Sequence, residues 1–152
     1  MGRKPREWEP GMYYHVVSRG NNREPLFQDI ADYLAFYHIL EDVNKEAPFS
    51  LAAYCLMTNH YHLLMMTQEQ PLSKPMGLIN KRYADYFNKT YRRSGHLFEK
   101  RFYSKSVVNS EGLLEVSRYI HRNPLEAGIV DRLEHYQWSS IHWYMGTIHD
   151  LP

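Results

Sequence analysis

The chain has one cysteine, Cys55, so no intrachain disulfide can form. That fits a reducing compartment and leaves the fold to rest on packing. No apolar run approaches the ~18 residues that a membrane-spanning helix needs. The opening segment, MGRKPREWEP, is charged and leads into no apolar stretch, so no signal peptide is expected. Internal repeats and low-complexity tracts are absent. The net charge is only +1, so no overall bias of sign points to a partner. What remains is 152 residues, 43% hydrophobic, enough for a real core in one domain spanning 1–152.

The small net charge hides an asymmetry. Between Lys81 and Lys105 stand Lys81, Arg82, Lys89, Arg92, Arg93, Lys100, Arg101 and Lys105, against only Asp85 and Glu99. Arg3, Lys4 and Arg6 make residues 1–10 a basic N-terminal arm. A charge run alone is as often a solvated helix face. Here the cations alternate with Tyr83, Tyr86, Phe87, Tyr91, Phe98, Phe102 and Tyr103. Cations interleaved with rings suit a phosphate backbone whose bases stack on aromatics. Thirteen tyrosines also exceed what a core of this size needs. Nucleic acid is the partner class this pattern favours.

Tyr13–Ser18 (YYHVVS) reads as a strand, followed by the turn-rich Arg19-Gly20-Asn21-Asn22-Arg23. Asp29 is placed to cap a helix over Ile30–Glu46, which Pro48 ends. Ser50–Met57 is apolar on both faces, as in a covered central strand. Thr58-Asn59 turns into a second, antiparallel strand, His60–Thr67. A helix over Ser73 to about Thr90 and a strand over Phe102–Val108 follow. Ser110 then caps a helix over Glu111–Arg122, with an end at Asn123 because Pro124 disfavours helical backbone before it. The order β α β β α β α predicts an α+β fold. Its first six elements form the ferredoxin-like split βαβ plan with a four-stranded antiparallel sheet, and an extra C-terminal helix carries Tyr119. That last helix has to cover an edge or the other face of the sheet.

His60 and His62, at i and i+2 of a strand, point to one face. Tyr119 and Asn123, at i and i+4 of a helix, stack on one side. Brought together, two imidazoles and an amide oxygen suit a divalent metal with open positions for phosphate and water. A tyrosine beside it can act as a nucleophile once its phenolate is stabilised. Each feature has a plainer reading. Paired histidines on a half-buried strand are more often packed, a tyrosine at a helix edge is commonly structural, and Asn before Pro is a common helix end. A non-catalytic nucleic-acid-binding module and a small metallohydrolase stay open on these residues alone.

Five collinear segments carry a resemblance: Gly11–Arg23 (GMYYHVVSRGNNR), Met57–Leu64 (MTNHYHLL), Gly95–Arg101 (GHLFEKR), Arg118–Val130 (RYIHRNPLEAGIV) and Tyr136–Ser140 (YQWSS). Their order and spacing resemble the REP-associated tyrosine transposases, of the single-tyrosine HUH superfamily. The resemblance covers about residues 10–146 and implies a nucleophile at Tyr119 and metal ligands at His60, His62 and Asn123. The cofactor it implies is Mg²⁺ or Mn²⁺. The substrate would be single-stranded DNA beside an imperfect hairpin of extragenic palindromic (REP) type, with a short tetranucleotide at the hairpin foot guiding the cut. Cleavage would leave a 5′-phosphotyrosine and a free 3′-hydroxyl. Arg19, Asn21 and Arg23, with Lys81, Arg82, Arg92, Arg93, Lys100, Arg101 and Lys105, match the parts expected to grip the DNA. The resemblance also implies a prokaryotic, cytoplasmic, nucleoid-associated protein without a membrane partner. Whether it works as a homodimer is left open, since relatives include both dimers and monomers. The given sequence stops soon after YQWSS, short of the longer tails that the resemblance implies for some relatives.

Overall fold

The computed structural model describes residues 7–145. The basic arm expected at 1–10 falls mostly on residues 1–6, so Arg3, Lys4 and Arg6 lie outside the described residues.

Four strands form one antiparallel sheet: β1 (Tyr13–Arg19), β2 (Ser50–Leu56), β3 (His60–Met66) and β4 (Tyr103–Val107), in the order β2-β3-β1-β4. Helices α1 (Ile30–Glu46) and α2 (Ser73–Thr90) connect β1 to β2 and β3 to β4. The expected α+β split βαβ topology is therefore present. Helix α3 (Ser110–Glu126) follows β4, and the five-residue α4 (Ile141–Met145) ends the described chain.

Side chains alternate across each strand, so the sheet has two differently covered faces. Tyr14, Val16, Tyr61, Leu63 and Met65 meet Phe36, Leu40 and Val43 of α1 and Met76, Ile79, Tyr83 and Phe87 of α2 in the large core. The opposite face carries a smaller cluster in which Ile120 of α3 packs with Ala53, Cys55, Met57, Leu64 and Tyr136. Of the two positions expected for the extra helix, α3 thus takes the other face of the sheet.

Two details of α3 depart from the sequence reading. Its N-cap is Asn109, whose Oδ1 accepts the Gly112 N–H at 2.7 Å, while Ser110 is the first helical residue. The helix also does not stop at Asn123 but runs through Pro124 to Glu126. Proline removes one N–H, yet the turn beyond it closes: Ala127 N–H donates to Asn123 O at 3.0 Å and Ile129 N–H to Pro124 O at 3.0 Å. Burial of the Pro124 ring favours continuation over the local preference for an extended residue before proline.

After α3 the chain returns along β2. Leu56 N–H donates to Trp138 O at 2.8 Å, Ser140 N–H donates to Tyr54 O at 3.0 Å, and Tyr136 OH donates to Leu56 O. Trp138 stacks on Tyr33 at 4.3 Å, and Tyr33 stacks on Phe27 at 4.5 Å. The YQWSS segment is thus a brace that covers one sheet edge and ties it to α1.

Candidate active site

The register of the sheet decides which side chains meet. Arg19 pairs with His60, Val17 with His62 and His15 with Leu64, so His15, Arg19, His60 and His62 share the face that α3 covers. Lys105, opposite His15 on β4, belongs to the same face. Ile120 anchors α3 in the small core. Tyr119, its neighbour, is left 51% exposed at the helix edge.

The predicted quartet comes together within one chain. The His60 and His62 rings lie 5.1 Å apart, and the Tyr119 ring stands edge-on to His62 at 5.9 Å. Asn123, one turn beyond Tyr119, is within hydrogen-bonding reach of the His60 ring. The tyrosine and the amide thus come to the histidines on one helix face, as i, i+4 spacing requires.

Each imidazole has its Nδ1 held from behind. His60 Nδ1 is 2.8 Å from Asn59 Oδ1. His62 Nδ1 is 2.9 Å from His15 Nε2, with the two rings stacked 5.2 Å apart at 15°. His62 Nε2 is buried and has no hydrogen-bond partner. A proton there would be an unsatisfied buried donor, so the His62 proton belongs on Nδ1, donated to His15, and Nε2 carries a lone pair.

Burial is the main reason these rings stay neutral. It lowers His62 to about 3, aided by His15, His60 and Arg19. Burial and then the Arg19 guanidinium lower His15 to about 4 and also push His60 down. Neutral imidazoles at neutral pH are what a metal ligand has to be. Among the described residues no group of three or more His, Cys, Asp or Glu is arranged to hold a metal ion. Asn123, beside His60, adds an amide oxygen to the two imidazoles, a donor set a divalent cation would fit. The lone pair of His62 Nε2, without a partner, fits it.

His15 was not singled out from the sequence. It lies in YYHVVS, where one histidine among aromatic and β-branched residues has no spacing partner. Its i, i+4 relation to Arg19 puts the two on one face of their strand, but only the register of β1 against β3 makes that the face of His60 and His62.

The cations expected to grip DNA separate into groups. Arg19 and Lys105 lie on the histidine face. Asn21 and Arg23 form a 3-10 turn just past β1, with left-handed backbone at Asn22 and Arg23. Gly20 enters this turn where a Cβ would collide with the carbonyl oxygen of Glu24. Lys100 and Arg101 follow Glu99, whose N–H donates to Arg19 O at 2.9 Å, so they stand near the same end of the sheet. Arg92 is exposed with a φ of 54°. Lys81, Arg82 and Arg93 are engaged within the protein. Lys81 pairs with Asp85 at 3.0 Å, Arg82 pairs with Glu46, and Arg93 meets Glu24 at 2.6 Å and the Phe87 ring at 5.6 Å. Lys81 and Arg82 belong to α2, across the sheet from the histidines.

Comparison with known proteins now bears on this site. The family described as "Transposase IS200 like" matches residues 9–123, which include His60, His62, Tyr119 and Asn123. A protein of Haemophilus influenzae, named provisionally as a REP-associated tyrosine transposase, is 24% identical over 145 residues, covering 87% of this chain and 80% of that one. Among solved structures, a REP-associated tyrosine transposase bound to a REP hairpin superposes with a TM-score of 0.81 at 19% identity, covering 93% of this chain and 84% of the other. A transposase, so described provisionally, from Deinococcus radiodurans superposes with a TM-score of 0.51 at 21% identity, covering 80% and 97%. At these identities the structural likeness establishes the fold.

Proposed function

The chain belongs to the IS200-like transposase family, and from that premise we propose that it is a metal-dependent single-stranded DNA endonuclease and strand transferase that nicks beside hairpins of REP type through a 5′-phosphotyrosine. The observation that carries this reading is the convergence, in one chain, of the Tyr119 ring 5.9 Å from His62 with Asn123 beside His60. DNA as substrate also accounts for a cytoplasmic, nucleoid-associated setting. No described helix is long and apolar enough to cross a membrane.

His60, His62 and Asn123 are the residues that would hold Mg²⁺ or Mn²⁺. When bound, the cation supplies Lewis-acid polarisation of a phosphate. The protein's own groups do the rest. Arg19 brings fixed positive charge to the histidine face and holds the scissile phosphate there. Tyr119, exposed and edge-on to His62, presents its hydroxyl oxygen to phosphorus. The phenol loses its proton, a Tyr–O–P bond forms, and the P–O3′ bond breaks, with the 3′-oxygen taking up a proton. Arg19 and Lys105 on the histidine face, with Asn21, Arg23, Lys100 and Arg101 near the same end of the sheet, are placed to contact DNA, with Arg92 at the periphery, whereas Lys81, Arg82 and Arg93 are held in ion pairs within the fold. Because the phosphotyrosine conserves the bond, a second 3′-hydroxyl can reverse the step and join strands without ATP.

The test is a hairpin oligonucleotide with single-stranded flanks, incubated with Mn²⁺ or Mg²⁺ and resolved by denaturing electrophoresis. A covalent adduct should form and should disappear in Tyr119→Phe, while hairpin binding persists. Adducts that persist in Tyr119→Phe would remove the assigned nucleophile.

A further inference from the structure

The connection between β2 and β3 is short, and its last residue, Asn59, stands directly before the first histidine. The backbone here is pinned. Met57 N–H donates to His60 O at 2.8 Å, Leu26 N–H to Thr58 O at 2.7 Å and Gly20 N–H to Asn59 O at 2.9 Å. Residues from the β1–α1 connection therefore fix where the Asn59 side chain begins. Asparagine is common in turns because it tolerates left-handed backbone, yet Asn59 is not among the described residues with positive φ. The turn alone does not explain the residue. Its amide oxygen turns to a side chain and lies 2.8 Å from His60 Nδ1.

An amide oxygen only accepts, so the ring nitrogen facing it is the donor. The His60 proton then sits on Nδ1, and Nε2 keeps its lone pair. His62 reaches the same state by another route, through His15. For His60 there is a competitor. Asn123 is also within hydrogen-bonding reach of its ring, and with Nδ1 turned to Asn59 the nitrogen left for it is Nε2. A proton donated from Nε2 to Asn123 would occupy the lone pair that a cation needs. Asn59 thus decides between a ring that can ligate beside Asn123 and one that Asn123 closes. The acceptor is also neutral. A carboxylate would hold the same tautomer, but it would bring negative charge toward Arg19, which opposes His60 in the sheet. An amide orients the ring and leaves the guanidinium to the phosphate.

We infer that Asn59 is a positioning residue for the metal site: it holds His60 as the Nδ1–H tautomer with Nε2 open to a cation, as His15 does for His62. The inference rests on the metal-dependent reading above and adds to it the residue that places the His60 proton.

The experiment has two readouts on the full chain. Proton–nitrogen correlation spectra of the imidazole rings, taken without metal at neutral pH, tell a protonated ring nitrogen from a bare one. The His60 signals are assigned by their loss in His60→Gln. Titration with Mn²⁺, followed by electron paramagnetic resonance, gives the affinity. The unmodified protein should show His60 protonated on Nδ1. Asn59→Leu, which offers no acceptor, should move that proton to Nε2, leave the His62 signals in place and weaken Mn²⁺ binding by about 10–100-fold. Asn59→Asp, which still accepts, should keep the proton on Nδ1 and bind Mn²⁺ at least as tightly as the parent. A His60 proton on Nε2 in the unmodified protein would overturn the role of Asn59 alone. So would an Asn59→Leu protein that matches the parent in tautomer and affinity, or an Asn59→Asp protein that loses as much affinity as Asn59→Leu. Failure of the unmodified protein to bind Mn²⁺ would overturn the metal-dependent reading and the inference with it.

Discussion

Replacing His15 with phenylalanine keeps an aromatic ring stacked on His62 and removes the 2.9 Å contact to its Nδ1. That contact is what assigns the His62 proton. Without it, the Nδ1 donor loses its buried partner, an unsatisfied group that costs about 1–3 kcal/mol. The ring can then carry its proton on Nε2, the atom that would face a metal. Partners that orient a ligating imidazole typically change metal affinity by about 10–100-fold. His15→Phe should therefore weaken Mn²⁺ binding by that factor, read as free Mn²⁺ by electron paramagnetic resonance during titration. His15→Gln, whose side-chain oxygen can accept from Nδ1, should recover part of the loss. Adduct formation at saturating Mn²⁺ should fall much less than at limiting Mn²⁺. A folded His15→Phe protein with unchanged Mn²⁺ affinity would refute the proton assignment and the role given to this contact.

Other regions give further expectations. His121 is 5% exposed, with Nε2 2.7 Å from Ser140 Oγ, and burial lowers it from 6.5 to about 4. The unfolded chain then takes up the proton first, so stability is full above pH 6.5 and falls as the pH drops toward 4. The loss is at most about 3 kcal/mol, and urea unfolding of His121→Gln should show a flatter pH profile across that window. Lys105→Ala should lower the salt dependence of DNA binding by about one phosphate contact, whereas Arg82→Ala, whose guanidinium is paired with Glu46 on the sheet face away from the histidines, should change it little by fluorescence anisotropy. Trp138→Ala breaks the Phe27–Tyr33–Trp138 stack and should destabilise the protein by about 2–3 kcal/mol, visible as a lowered Tm.

The strands and helices around the sheet were legible because their periodicities are unambiguous. The i, i+2 spacing of His60 and His62 and the i, i+4 spacing of Tyr119 and Asn123 fixed which side chains share a face. Their meeting was not implied by spacing. It depends on α3 crossing to the face opposite α1 and α2, which Ile120 and the small cluster around Leu64 arrange through contacts distant in sequence. His15 stayed hidden for the same reason, since its partner is 47 residues away. The stop assigned at Asn123 followed a local rule that the buried Pro124 overrides. YQWSS has no alternation to mark it as an edge brace. Its role appears only with Leu56 and Tyr54 beside it. Charge runs were informative about composition and less so about use, because ion pairs such as Arg93–Glu24 form between residues far apart in sequence.

The unequal covering of the two sheet faces separates the tyrosine from the histidines energetically. β3 is covered from both sides, whereas α3 meets the sheet through the smaller cluster and is tied to the chain beyond it by His121, 2.7 Å from Ser140 Oγ. Opening of residues 110–126 would forfeit little of the larger core, so amide exchange is expected to be faster along α3, which carries Tyr119, than along the histidine strand β3.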